Sequence, residues 1–262
     1  MPSQIIPPAL LGPAYRIYAA RLRSKLDRER LPRHIGVILD GHRRHARAEG
    51  SDYASSYRAG MAKFLTFLGW ARELEIPAVT AWVLSTDNLR RPVEELAPYY
   101  QVLTETFQQL PEPAQGLGYR LSFIGSLDLL PAPLVAAVKQ AEADAGRGER
   151  RLTVALGYGG RQEIVDACRE LVAELVAEGV SGDELPRRVD AEAIASHLYA
   201  ADLPDPDLVI RTSGEARLSG FMLWQAAYAE YVFVDVHWPN FRRVDFLRAV
   251  RDFTRRDRRF GT

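Results

Sequence analysis

Short unbroken apolar runs alternate along this chain with longer stretches in which apolar residues recur every third or fourth position. The runs at 35–39, 78–84, 119–124, 151–156 and 207–210, and the one that follows Glu230 within 226–235, each suit a strand buried on both faces, as in a parallel sheet. The helical spacing predicts helices at 13–29, 42–47, 57–75, 93–110, 132–145, from the Gly157–Arg161 turn to about 178, at 190–199 and at 244–259. Residues 51–56 read as a polar loop, 204–206 as a rigid one. Strand alternating with helix predicts an α/β fold with a mostly parallel central sheet of about six strands surrounded by helices. The helix at 13–29 carries Tyr15, Tyr18, Ala19, Leu22 and Leu26 on one face beneath several arginines. Packing on the domain's own surface is the preferred reading, with peripheral membrane contact as the alternative. Residues 1–30 are thus read as an N-terminal amphipathic helical segment and 31–262 as a single catalytic domain.

Chemistry gathers where these strands end. The first closes on Asp40 and Gly41, followed by His42, Arg43, Arg44 and His45 at a helix start. Free backbone N–H groups there, with Arg43 and Arg44, suit phosphate oxygens; Gly41 lets the backbone approach, and Asp40 could hold a divalent cation bridging the phosphates. The fifth strand ends in Arg211, with Arg217 and Ser219 just beyond, a second anion site of guanidinium forks. Glu215 between them reads at least as readily as a salt-bridge partner as a catalytic group. The second strand ends in Ser85, Asp87 and Asn88 before Arg91 and Pro92. Because strand side chains alternate, Val83 shares a face with Ser85 and is expected to line the pocket. The 157–161 turn lacks the lysine and hydroxyl residue of a P-loop, so alone it signals little.

Composition narrows the field. The 262 residues suit one α/β enzyme domain, and 34 basic against 34 acidic side chains leave no net charge, so the basic cluster near Asp40 points to a small anion and not to nucleic acid. Cys168 is the only cysteine, which excludes an intrachain disulfide and favours a reducing, cytoplasmic location. No stretch approaches the roughly 20 apolar residues of a bilayer span.

Three motifs together resemble the cis-prenyltransferases, the undecaprenyl diphosphate synthase family. The first is the Asp40-Gly41-His42-Arg43-Arg44-His45-Ala46 segment, similar to Asp-Gly-Asn-x-Arg-Trp-Ala. The second is Ser85-Thr86-Asp87-Asn88 with Arg91-Pro92, and the third Arg211-Thr212-Ser213-Gly214-Glu215-Ala216-Arg217-Leu218-Ser219. Tyr158-Gly159-Gly160-Arg161 and His237-Trp238-Pro239 extend the likeness, which covers 31–261. The resemblance implies a hydrophobic tunnel, magnesium held by Asp40 and Glu230, and a homodimer. It implies an allylic diphosphate at the first motif and a second, C5 diphosphate held by Arg91, Arg211, Arg217 and Ser219. Ser85 carries over to a matching substrate-site position, and Asn88 becomes the candidate for assisting proton removal. Departures fall at His42 and His45, where the family has Asn and Trp, and at Tyr53 and Tyr57, where long-chain relatives have Arg and His. Val83, where long-chain members have a smaller residue, hints at a short tunnel. They direct the reading to a short, C15 product, by irregular head-to-middle (lavandulyl-type) coupling or, nearly as well supported, by regular Z-farnesyl diphosphate synthesis with isopentenyl diphosphate. His42 or His45 could take the final proton, although a neutral side chain filling space is the preferred reading. A non-catalytic subunit of the Nogo-B receptor type is disfavoured by retention of Asp40, Asn88, Arg211, Arg217 and Glu230. A nucleotide-binding protein is disfavoured by the lack of a Gly-rich fingerprint.

Overall fold

The computed structural model describes residues 8–256, with side chains from residue 13 onward. Helix α1 (Pro8–Ser24) precedes strand β1 (His34–Ile38), and α2 (His42–Glu49) and α3 (Tyr53–Glu73) lead to β2 (Ala78–Ser85). Helices α4 (Val93–Gln109) and α5 (Pro111–Gly116) precede β3 (Tyr119–Ile124), and α6 (Ala132–Ala143) precedes β4 (Arg150–Tyr158). Then come α7 (Gly160–Ala177), α8 (Leu185–Arg188), α9 (Ala191–Ser196), β5 (Leu208–Thr212), β6 (Glu230–Val234) and α10 (Arg243–Arg255).

All six strands are parallel, in the order β3-β4-β2-β1-β5-β6, as the apolar runs predict. The order doubles back beside β1, and in such sheets ligands bind outside the carboxyl ends of the strands at that reversal. The larger core lies on the face of Ile35, Val37 and Leu39, under α3, α4, α6 and α10; a smaller cluster, with Ile38, Trp82, Val209 and Phe221, covers the other face. Gly36 is required there, because a Cβ would stand 2.9 Å from the Phe221 ring. Buried His34 pins the amino end of the sheet, its ring nitrogens 2.6 Å from the Pro204 carbonyl and 2.8 Å from the Thr80 hydroxyl.

Several boundaries differ from the sequence reading. Residues 53–56 are helical and not loop, because the Asp52 side chain accepts from Ser55 N at 2.8 Å and starts α3 early. The first helix ends at Ser24, with a 3₁₀ turn at Arg28–Arg30 replacing its expected last turn. β4 runs on through Gly157 and Tyr158, so these residues extend the sheet instead of forming a phosphate turn. β5 runs on to Thr212 and so carries Arg211 within it. The short helix expected at 190–199 spans only Ala191–Ser196. The expected last turn of α10 beyond residue 256, and the family likeness at 257–261, lie outside the described residues.

The α1 expectation of surface packing holds. Ala19, Leu22 and Leu26 are buried, while Tyr15 and Tyr18 stay partly exposed beneath the Arg242 and Arg248 guanidiniums of the α10 region, each 5.2 Å from a ring centroid. Among the described residues no helix is long and apolar enough to cross a membrane.

Candidate functional site

A cavity of about 530 Å³ opens at the carboxyl ends of β1, β2 and β5. Asp40, Gly41, His42, Arg43, Arg44, Tyr57, Ser85, Asn88, Arg91, Arg211, Arg217 and Ser219, drawn from motifs far apart in sequence, all line it. Six guanidiniums and three carboxylates face it, a local excess of positive charge on a chain with none overall. That excess suits a polyanionic ligand.

The strand-to-helix turn builds the first anion site. Gly41 sits at φ 105°, a left-handed conformation that disfavours a side chain, and a Cβ there would lie 3.0 Å from the Ser213 hydroxyl. No side chain caps α2, so its first N–H groups remain available beside Arg43 and Arg44. The Asp40 backbone is clamped: its N–H donates to the Thr212 hydroxyl at 3.1 Å, and its carbonyl accepts from that hydroxyl at 2.8 Å and from Trp238 N at 3.0 Å. The carboxylate accepts from Arg211 Nη2 at 2.9 Å and lies 3.7 Å from Arg44.

Arg211 also donates to the Ser219 hydroxyl at 2.8 Å and to the Arg217 carbonyl, so one buried fork orders the whole second anion loop. Ser213 and Ser219 adopt positive φ, 81° and 52°, strained positions in this same loop. Glu215 accepts from Arg44 at 2.9 Å and from Arg217 at 2.7 Å, joining the two anion sites through one carboxylate. On the third side, the Ser85 hydroxyl caps a 3₁₀ turn by accepting from Asn88 N at 3.1 Å. Arg91 makes no ion pair among the described residues, and its charge remains available. Val83 lines the cavity with Ser85 as expected, although a register shift at Leu84 breaks strict alternation between them. Arg43 pairs with Glu95 at 2.9 Å, tying α2 to the start of α4.

Two residues expected here are elsewhere. Glu230 opens β6, pairing with Leu208 at the amino end of the sheet, while Asp40 lies at the carboxyl end beside Thr212; Glu230 instead binds Arg256. The four residue steps from Glu230 to Val234 span about 13 Å at strand rise, too far to share a metal with Asp40 in one chain. His45 does not line the cavity either, because its Nδ1 is held 2.9 Å from the Ser56 hydroxyl on α3.

His42 does line the cavity, but as a buried wall. It fills a notch opposite Gly60, where a Cβ would stand 2.1 Å from His42 Nε2, and Nε2 has no hydrogen-bond partner. Burial pushes its pKa down from 6.5 to about 4, so the ring is neutral at pH 7 and not part of a charged patch. A neutral folded ring and a titrating unfolded one make stability fully present above pH 6.5 and lost as pH falls toward 4. The loss should reach about 3 kcal/mol, with His34, also depressed by burial, acting in the same sense. Urea unfolding between pH 4 and 7 should show this slope, shallower in His42→Asn; an equal slope in both proteins would refute the assignment to His42.

Residues that the sequence did not single out are Arg47, Trp82 and Tyr99, all of which line the cavity. Tyr99 sits at ordinary apolar helix spacing in α4, and only the return of α4 over β2 brings it to the site, where its hydroxyl donates to the Val83 carbonyl at 2.6 Å.

The donor set bears on a metal. Among the described residues no three His, Cys, Asp or Glu side chains cluster as a cage. Asp40 alone, beside an anion site, fits an ion of the magnesium kind, which keeps several waters and completes its shell with substrate phosphates.

Comparison with known proteins agrees with this geometry. The family model of the undecaprenyl diphosphate synthases matches residues 38–261. Isoprenyl transferase 1 of Streptomyces avermitilis is 48% identical over 94% of this chain and 95% of its own length. The (2Z,6E)-farnesyl diphosphate synthase of Thermobifida fusca is 49% identical over 95% of this chain and 97% of its own. The crystal structure of lavandulyl diphosphate synthase from Lavandula x intermedia, in complex with dimethylallyl diphosphate, superposes with a TM-score of 0.80 at 30% identity, covering 89% of this chain and all of that one.

Proposed function

The chain belongs to the undecaprenyl diphosphate synthase family and is a prenyltransferase, and from that premise we propose that it is a short-chain, magnesium-dependent synthase coupling an allylic diphosphate to C5 diphosphate units, one for a C10 donor or two in succession for a C5 donor, to give a C15 product. The observation that carries this reading is a cavity lined by two adjoining guanidinium clusters and by an apolar wall of Ile38, Leu39, Trp82, Val83, Tyr57 and Tyr99. The catalytic unit is residues 31–262, with α1 as an outer support.

The allylic diphosphate lies at the α2 N-terminus with Arg43 and Arg44; the acceptor diphosphate lies against Arg91, Arg211, Arg217 and Ser219. The allylic carbon–oxygen bond breaks with its electron pair leaving on the diphosphate, where the guanidiniums and helix N–H groups stabilise the growing charge. Magnesium, held by Asp40, supplies further neutralisation of the leaving diphosphate when bound. The acceptor double bond attacks the cationic carbon, and the new cation loses a proton. Asn88, which lines the cavity, steers that proton toward a diphosphate oxygen. The apolar wall excludes water that would quench the cation.

Regular coupling with isopentenyl diphosphate, giving Z-farnesyl diphosphate, is the first reading, supported by the names of relatives nearly half identical over at least 95% of the chain. Irregular coupling of dimethylallyl diphosphate is the second, favoured by His42 in the first motif and by the likeness to a lavandulyl diphosphate synthase. Incubation with magnesium and each pair of C5 and C10 diphosphates, followed by identification of the dephosphorylated alcohols, distinguishes them by branching. A product longer than C20 would sink the short-chain reading. Val83→Ala should shift the product upward by at least one C5 unit; an unchanged C15 product would show that this wall does not limit length.

A homodimer joined along the exposed edge of β6, where Tyr231 and Phe233 stack and Phe233 is 41% exposed, fits the same reading. Sedimentation showing only the monomer at micromolar concentration would count against it.

A further inference from the structure

A second cavity, of about 880 Å³, opens where α1 and the residues just after it lie against the start of α10. Its volume falls in the range of about 300–1,000 Å³ common to small-molecule sites. The helical period explains its shape. Arg16 and Arg23 stand about two turns apart on one face of α1, and the residues between them on that face are Ala19 and Ala20, too small to fill the space that the guanidiniums border. Leu26 and Val244, both buried, supply an apolar floor. Arg28, Arg242 and Arg243 complete the rim, so five guanidiniums line the groove and no carboxylate does. They are not equally committed. Glu73 lies 3.8 Å from Arg23 and also binds Arg243, which brings those two cations together. Arg242 donates to Asp245 at 2.9 Å and to the Tyr15 hydroxyl at 2.6 Å, which fixes its fork in place. Arg16 and Arg28 make no ion pair among the described residues.

We propose that this groove is an accessory binding site for a prenyl diphosphate, the class of molecule the chain itself makes, with the diphosphate on the guanidiniums and the apolar tail along Leu26 and Val244. Charge complementarity carries the choice of ligand. Guanidinium forks match phosphate oxygens, and two free cations beside three already oriented ones suit a group with several negative charges. The apolar floor gives a tail a surface to cover, which inorganic diphosphate would leave bare. The arginines also converge on a concave space from two helices, the geometry of a discrete ligand and not of a flat lipid surface. The groove shares no lining residue with the cavity at the strand ends, so a ligand here leaves the catalytic machinery untouched.

This inference takes its ligand class from the prenyl-transfer reading, and the experiment separates the two. Binding of farnesyl diphosphate to the full chain is measured by calorimetry, and hydrogen exchange at residues 13–24 is followed with and without it, for wild type, the double variant Arg16→Ala/Arg28→Ala and Ala20→Glu. The last change is at an exposed helical position and sets a carboxylate in the groove. Wild type should bind one equivalent more than either variant, or bind it at least about tenfold more tightly, the scale of two exposed charge contacts. The ligand should slow exchange in α1 of wild type alone, while both variants keep the wild-type kcat. Equal binding by all three proteins, or unchanged exchange in wild-type α1, would overturn the site. Inorganic diphosphate that protects α1 as well as farnesyl diphosphate does would overturn the role of the tail. Protection by phosphatidylglycerol vesicles and not by farnesyl diphosphate would overturn the proposed ligand in favour of a membrane surface. Wild type that couples no diphosphate pair overturns the parent reading, while the exchange comparison still decides the groove.

Discussion

Asp40→Ala should reduce kcat by about three orders of magnitude, the scale on which removal of a key charge-stabilising group acts. Asp40 is the carboxylate at the end of β1 that stands beside the uncapped α2 N-terminus, and no cage of acidic or histidine side chains among the described residues could replace it. Its removal also leaves the Arg211 guanidinium, itself only 5% exposed, without its charged partner. Breaking a fully buried pair costs 3–5 kcal/mol, but the Asp40 side chain is 31% exposed, so a folding loss of about 1–2 kcal/mol is the discounted expectation. Asp40→Asn keeps the shape and one oxygen for Arg211, so it should lose activity to a similar degree with less loss of stability. Steady-state kinetics across a magnesium titration, run beside urea unfolding, separates the two effects. A kcat within tenfold of wild type for both variants would remove Asp40 from the chemistry.

Arg211→Lys should be nearly as damaging, and for a geometric reason. One guanidinium reaches the Asp40 carboxylate, the Ser219 hydroxyl and the Arg217 carbonyl at once. An ammonium on a flexible stem presents a point charge and no rigid fork. The second anion loop, with Ser213 and Ser219 already in strained conformations, then loses the group that orders it. The acceptor KM should rise more than tenfold and kcat/KM fall by about 10³, while the allylic substrate KM changes less. Equal rises in both KM values would mean that Arg211 supports the site as a whole and does not favour the acceptor.

Much of this arrangement was legible before any coordinates. The six strands were readable because each is an apolar run buried on both faces, and the three motifs sit where those runs stop. Residues such as Arg211 and Ser85 could therefore be placed at one end of a parallel sheet from their position after a strand. The same logic applied to Glu230 puts it at the opposite end, since it precedes the apolar run of its strand, and the register with Leu208 agrees. The early start of α3 was hidden because a polar stretch can be a loop or a capped helix, and the Asp52 side chain decides which. Tyr99 and the neutrality of His42 carry no local signal at all. Tyr99 depends on how α4 crosses β2, and the charge state of His42 depends on burial against a helix that begins eleven residues later.

The fit between His42 and Gly60 also orders the substitutions open to this sequence. Any side chain at position 60 would collide with the histidine ring at 2.1 Å, so the seated histidine at 42 requires glycine at 60. Once the ring is seated, glycine at 60 can no longer drift. The two positions, eighteen residues apart, are therefore coupled: a smaller side chain at 42 leaves Trp238, 3.3 Å from a Cβ at 60, as the remaining close contact, whereas with histidine at 42 a change at 60 must displace the ring. Laboratory evolution of this chain should find its first tolerated replacements of Gly60 in backgrounds where position 42 carries a smaller side chain.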